Sequence, residues 1–125
     1  MEPRPIEKDL KMALEAAPGL TALAGNRIFA LRIPDGTMLP CLTFQRTTGR
    51  PLNHLKGHAA SMVRMQINVW AKNYEEGKNI SLEVGRAIHQ SWLTAWLEEE
   101  LEIFDDNYYR LILEYTIKQS GGFEK

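Results

Sequence analysis

A single cysteine, Cys41, stands among the 125 residues, and one thiol cannot close an internal disulfide. The run Met1-Glu2-Pro3-Arg4-Pro5 lacks the apolar core of a secretion signal, so the expectation is a chain made and folded in a reducing cytoplasm. No stretch approaches the roughly 18 apolar residues of a membrane-spanning helix. The nine glycines form neither the spaced triplet of a dinucleotide fold nor a phosphate-cradling loop ending in Lys-Ser/Thr. Excess charge is missing as well: 15 basic against 16 acidic groups leave a net −1, which offers no field for a polyanion.

What is present is the composition of a globular protein, 44% hydrophobic and 25% charged. The length suits one domain over residues 1–125, with 119–125 expected as a flexible tail after the last strand. The near-zero charge conceals a segregation. Residues 27–72 carry 7 basic and 1 acidic group, a net +6, whereas residues 73–114 carry 3 and 10, a net −7.

Hydrophobic spacing sets out the elements. Ile6, Leu10, Ala13, Leu14 and Ala17 recur at helical intervals before Pro18-Gly19, predicting a helix over 5–17. A short turn at 21–24 and a short extended piece at 27–31 follow. Pro34-Asp35-Gly36 is turn chemistry, and the β-forming run 41–48 after Pro40 reads as a strand. Residues 49–60 have no period and read as a long connection.

Alternation is clearest over 62–71, with Val63, Met65, Ile67 and Val69 on one face. Asn73 with Glu76 three residues on predicts a capped helix over 74–92. Residues 93–100 read as a linker of uncertain form, 101–104 as a short strand, and 109–118 as an alternating strand. The expected fold is α+β: a two-layer domain with a mainly antiparallel sheet of about four strands and two helices on one face.

Chemistry-bearing constellations are sparse. Cys41, at the start of a strand, reads as a small buried thiol. His54 and His58 have the four-residue spacing of paired ligands on a helix, but Gly57 and Pro51 oppose a helix and no Cys or carboxylate lies near in sequence. Glu98-Glu99-Glu100 and Asp105-Asp106 read as a solvated face and a turn. No catalytic, cofactor-binding or metal site is assigned. Met62, Trp70 and Ile112 share a strand face with Arg64, Gln66, Asn68 and Arg110, a mixture that suits a subunit interface.

Three stretches together resemble the tail-completion, or tail-terminator, family of long-tailed bacteriophages and prophages. These are Leu20 to Phe29 with Pro34-Asp35-Gly36 and Leu39 to Phe44; Met65 to Ala71 leading into Asn73-Tyr74-Glu75-Glu76; and Ile103 to Asp106 with Tyr109-Arg110 and Leu113-Glu114-Tyr115. The resemblance implies a structural virion protein and not an enzyme: a ring, typically a hexamer, that caps the tail tube and joins it to the head connector, stopping tail polymerisation and completing the DNA channel. The partners it implies are other copies of the chain, the tube protein on one face and the connector or stopper protein on the other, with DNA passing the lumen without sequence specificity and no membrane or cofactor. The location it implies is the tail or neck of the virion.

Interface residues expected on this basis are Arg46, Arg50, Asn53, His54, Leu55, Lys56, His58, Met62, Arg64, Trp70, Glu98, Glu99, Glu100 and Arg110. Two other readings stay open: a small metal- or ligand-binding module using His54, His58 and Cys41, and an accessory protein that binds DNA without specificity.

Overall fold

The computed structural model describes residues 6–51, 60–105 and 107–120. Helix α1, Ile6–Glu15, buries Ile6, Leu10, Ala13 and Leu14, the stripe that its spacing defines. Pro18 both stops it and starts α2, Pro18–Ala24: Ala17 is extended, as a residue before proline prefers, and Pro18 occupies a first-turn position. Gly25, at φ 61°, closes α2.

Strand β1, Ile28–Ala30, pairs parallel with β2, Cys41–Pro51, and the turn between them forms at Pro34 to Thr37 with Gly36 at φ 81°. Strand β3, Ala60–Ala71, is antiparallel to β2 and to β5, Tyr109–Ser120, and β5 is antiparallel to β4, Thr94–Phe104. The sheet order is β1-β2-β3-β5-β4. Helix α3, Tyr74–His89, begins where Asn73 Oδ1 accepts the Glu76 amide at 2.8 Å, while Glu76 Oε1 accepts the Lys72 amide at 2.8 Å.

Period-2 alternation puts Leu42, Phe44, Met65, Ile67, Leu111, Leu113 and Ile117 on one sheet face, where they meet the buried stripes of the helices in one cluster. Gly77 lets α3 approach the sheet closely at Tyr109. A Cβ there would fall on the ring of Tyr109, so α3 sits against the sheet only because that position has no side chain.

The α+β, two-layer expectation holds, with five strands and three helices among the described residues: the turn expected at 21–24 is the helix α2, and the extended piece expected at 27–31 is the strand β1, which joins the sheet. The expected linker 93–100 and short strand 101–104 form one continuous strand instead, and α3 ends at His89 rather than residue 92. The reason is tertiary: Leu93, Trp96 and Leu97 fit either period, and the free edge of β5 supplies ladder partners from Thr94 onward. A bulge at Glu98, between the pairs Leu97/Tyr115 and Glu99/Glu114, resets the alternation. The connection expected over 49–60 shrinks, because β2 runs to Pro51 and β3 starts at Ala60. Likewise β5 includes residues 119 and 120 of the expected tail, whose remainder lies outside the described residues.

Candidate functional site

The face of the sheet away from the helices carries a connected polar network. Arg110 donates from Nε and Nη2 to Asn68 Oδ1 at 3.1 and 2.9 Å, and its guanidinium lies 4.4 Å from the centre of the Trp70 ring. Asn68 donates to Gln66 Oε1 at 3.1 Å, and Gln66 to Glu114 Oε2 at 3.2 Å. Trp70 Nε1 donates to Thr43 Oγ1 at 3.3 Å and its ring meets Tyr108 edge-on. Arg64 Nε stands 3.9 Å from Glu114 Oε1, an ion pair without a hydrogen bond. These bonds cover Asn68 and Thr43 so well that both are buried.

Toward β4 the network continues through the bulged Glu98, whose Oε2 accepts from Thr116 Oγ1 at 2.7 Å and Trp96 Nε1 at 2.6 Å. Those two donors, and then the charge of Arg64, hold its carboxyl below the usual carboxylate range. Leu101 and Ile103, exposed, stand opposite Ile112 and Arg110 on this same face.

Ion pairs on the helix side fix two other charges. Lys78 of α3 reaches Glu100 at 2.8 Å and Glu102 at 3.1 Å, and hydrogen bonds to these two carboxylates hold its ammonium above the ordinary lysine value. Arg46 of β2 meets Glu7 of α1 at 3.1 Å.

Of the interface residues expected from sequence, the sheet therefore brings Met62, Arg64, Trp70, Glu99 and Arg110 to the open face, with Glu98 bonded into it. Arg46 and Glu100 instead carry partners of their own chain on the other side. Arg50 lies in β2 opposite Met62. Asn53, His54, Leu55, Lys56 and His58 lie outside the described residues.

The exposed apolar side chains at the two ends of the strand order were not among the sequence candidates. Leu101, Ile103 and Phe104 stand on β4, and Leu31 and Met38 stand between β1 and β2. Unbroken alternation over 93–104 would have put Leu101 and Ile103 on the face of Leu93 and Ala95; the bulge at Glu98 turns them to the open face and leaves Phe104 on the helix side beside Tyr109. Leu31 gave no signal, since a non-glycine residue at φ 71° is not written in local sequence.

Among the described residues no three His, Cys, Asp or Glu side chains are grouped to hold a metal ion. Cys41 is buried, and burial pushes its thiol up to about 11 against the pull of Arg27. A groove between the α1–α2 junction and the end of α3, lined by Ala13, Ala17, Pro18, Ala87, Ser91 and Trp92, contains no charged group. The arrangement is one of surfaces: a polar sheet face and two sheet edges.

The family described as "Tail completion protein gp17" matches residues 8–119. Among solved structures, a chain of the "Virion of native gene transfer agent (GTA) particle" superposes with a TM-score of 0.69 over 90% of this chain and 92% of that one, at 16% identity. That likeness is one of fold. No curated protein matches.

Proposed function

The chain belongs to the tail completion protein gp17 family, and from that premise we propose that it closes the end of a phage-type tail tube as a ring, in the manner of a structural virion protein. Six copies form the ring, the tube protein binds one face and the head connector or stopper the other. Tube polymerisation stops there, and the lumen passes DNA without reading its sequence. The work is adhesion, with no catalytic step.

The observation that carries this reading is the family match along residues 8–119, nearly the whole chain. The geometry supports it through strand order. Ring closure needs a heterologous contact, one patch meeting a different patch on the next copy. Strand order separates the unlike segments of the chain: β4 at one edge holds Glu98, Glu99, Glu100 and Glu102 and no basic residue, whereas residues 27–51 at the other hold four arginines and one aspartate. Side chains on the open face, Arg64, Trp70 and Arg110 among them, are the surface assigned to tube, connector or neighbour, and Asn53, His54, Leu55, Lys56 and His58, outside the described residues, are assigned to the same contacts from the sequence.

Electron microscopy of tail tubes assembled with and without the protein tests the reading. The expected result is a six-fold ring at one tube end and a fixed tube length only when the protein is present. Tubes of equal length and bare ends in both preparations would overturn it.

A further inference from the structure

Resting on the ring reading, we infer that neighbouring copies join edge to edge: β4 of one copy docks on β1 and the β1–β2 segment of the next. The first observation concerns β4. Five of the twelve exposed large apolar side chains among the described residues stand on this one strand, Leu101 at 58% and Phe104 at 67% exposure among them. An edge strand that remains free is normally short, bulged or charged against unwanted pairing. Here the bulge and Glu98 to Glu100 occupy the middle, and beyond them Leu101 to Phe104 continue the ladder without a further register shift. Their one glutamate, Glu102, is held by Lys78 on the helix side, while the outer side of the strand has no ladder partner among the described residues. That combination is an adhesive edge.

The second observation lies at the opposite edge. Leu31 is 70% exposed and Met38 67% exposed. Leu31 is held at φ 71° with its own amide bonded to Phe44 O at 2.9 Å, while the Arg32 amide bonds back to Ala30 O at 2.8 Å. This three-residue turn is the strained form, tolerated where the surroundings fix it. It presents an apolar side chain to solvent, which monomer stability does not require.

Charge selects the partner as a second copy of this chain. Arg32 is exposed and the side chain of Arg27, half-buried, donates to the Pro40 carbonyl at 2.8 Å; neither makes an ion pair among the described residues. On β4, Glu99 is exposed and without an ion pair among the described residues. Each edge thus offers apolar side chains flanked by uncommitted charge of the sign that the other edge lacks, the pattern of complementary patches. Because the two edges belong to one sheet, their pairing repeats head to tail, as a ring requires. A neighbour related by rotation about an axis along the strands presents its β1 edge to β4 without reversing either sheet.

Paired cysteines test the junction. Positions 101 or 103 are combined with 31, 32 or 38 in one chain, and four strand spacings, roughly 19 Å in all, keep the two positions of one copy too far apart to bridge. In a Cys41→Ala background, oxidation of tail-bound protein is expected to give a ladder of covalent multimers, with single-cysteine variants giving dimers at most. In parallel, Leu101→Lys with Ile103→Lys is expected to lower occupancy of tube ends at least about tenfold, with a native circular dichroism spectrum, whereas Leu82→Lys on α3 leaves it unchanged. Wild-type rings on tubes together with no ladder and full occupancy by the double lysine variant overturn the edge junction and leave the ring standing. A ladder without rings on tubes overturns the ring and keeps the junction.

Discussion

Cys41 shows how burial decides a residue's chemistry. Its side chain is buried at the start of β2 and its thiol is pushed up to about 11 from 9.0, chiefly by loss of hydration. The native state therefore keeps its proton between those values while the unfolded chain releases it, so stability is full below about pH 9 and falls as pH rises toward 11. The loss from this group is roughly 2 kcal/mol. Chemical denaturation at pH 8 and 10.5 measures it, and Cys41→Ala should flatten that part of the profile. The same thiol is expected to resist alkylation at pH 8 in the native protein and react on unfolding. Gly77 is the converse case, where the missing atom matters. In Gly77→Ala the new methyl meets the ring of the fully buried Tyr109, and overpacking of this kind costs about 1–3 kcal/mol. Thermal unfolding reads the loss, and Tyr109→Phe, which leaves the ring in place, should not rescue it.

Among the elements, α3 depends most visibly on its first turn. Asn73 caps the Glu76 amide, and Glu76 reaches back to the Lys72 amide, so two otherwise free donors are satisfied at the point where β3 hands over to the helix. Asn73→Ala should cost about 1 kcal/mol in thermal or chemical unfolding, and Asn73→Asp or Asn73→Ser much less. This cap was legible in the sequence because its signal is local, and so were the alternating strands β3 and β5, whose buried apolar residues, Val63 to Val69 and Tyr109 to Ile117 at every second position, face the helices while Met62, Trp70 and Ile112 stand on the open face. The element that defeated local reading is β4. Its glutamates look like a solvated linker, and only the presence of β5 as a ladder partner makes residues 94–104 a strand. The open-face grouping of Met62, Arg64, Trp70 and Arg110 followed from period 2 alone. The capture of Arg46 by Glu7, 39 residues away, and of Glu100 by Lys78 could not, since both depend on how helices settle on the far face.

For the whole molecule, a net charge of −1 is the sum of unlike edges. Four glutamates on β4 and four arginines with one aspartate over residues 27–51, which include β1 and β2, lie three to four strand spacings apart, roughly 14–19 Å. That separation exceeds the screening length at about 0.1 M salt, about 10 Å, so an approaching copy meets each edge largely as its own field. Such fields act on encounter more than on adhesion: exposed pairs contribute only about 0–1 kcal/mol each, whereas desolvated apolar contacts slow dissociation. Raising salt from about 0.1 to about 1 M shortens the screening length to about 3 Å and should slow loading onto tube ends about tenfold, while the dissociation rate of loaded protein changes little. Reversing Glu99 to Arg should reproduce the slow loading at low salt, and combining it with Arg32→Glu should restore the rate. Light scattering or microscopy of tubes sampled over time measures both. A loading rate indifferent to salt and to Glu99→Arg would mean that the segregated charge has no part in bringing copies together, and that the apolar edges act alone.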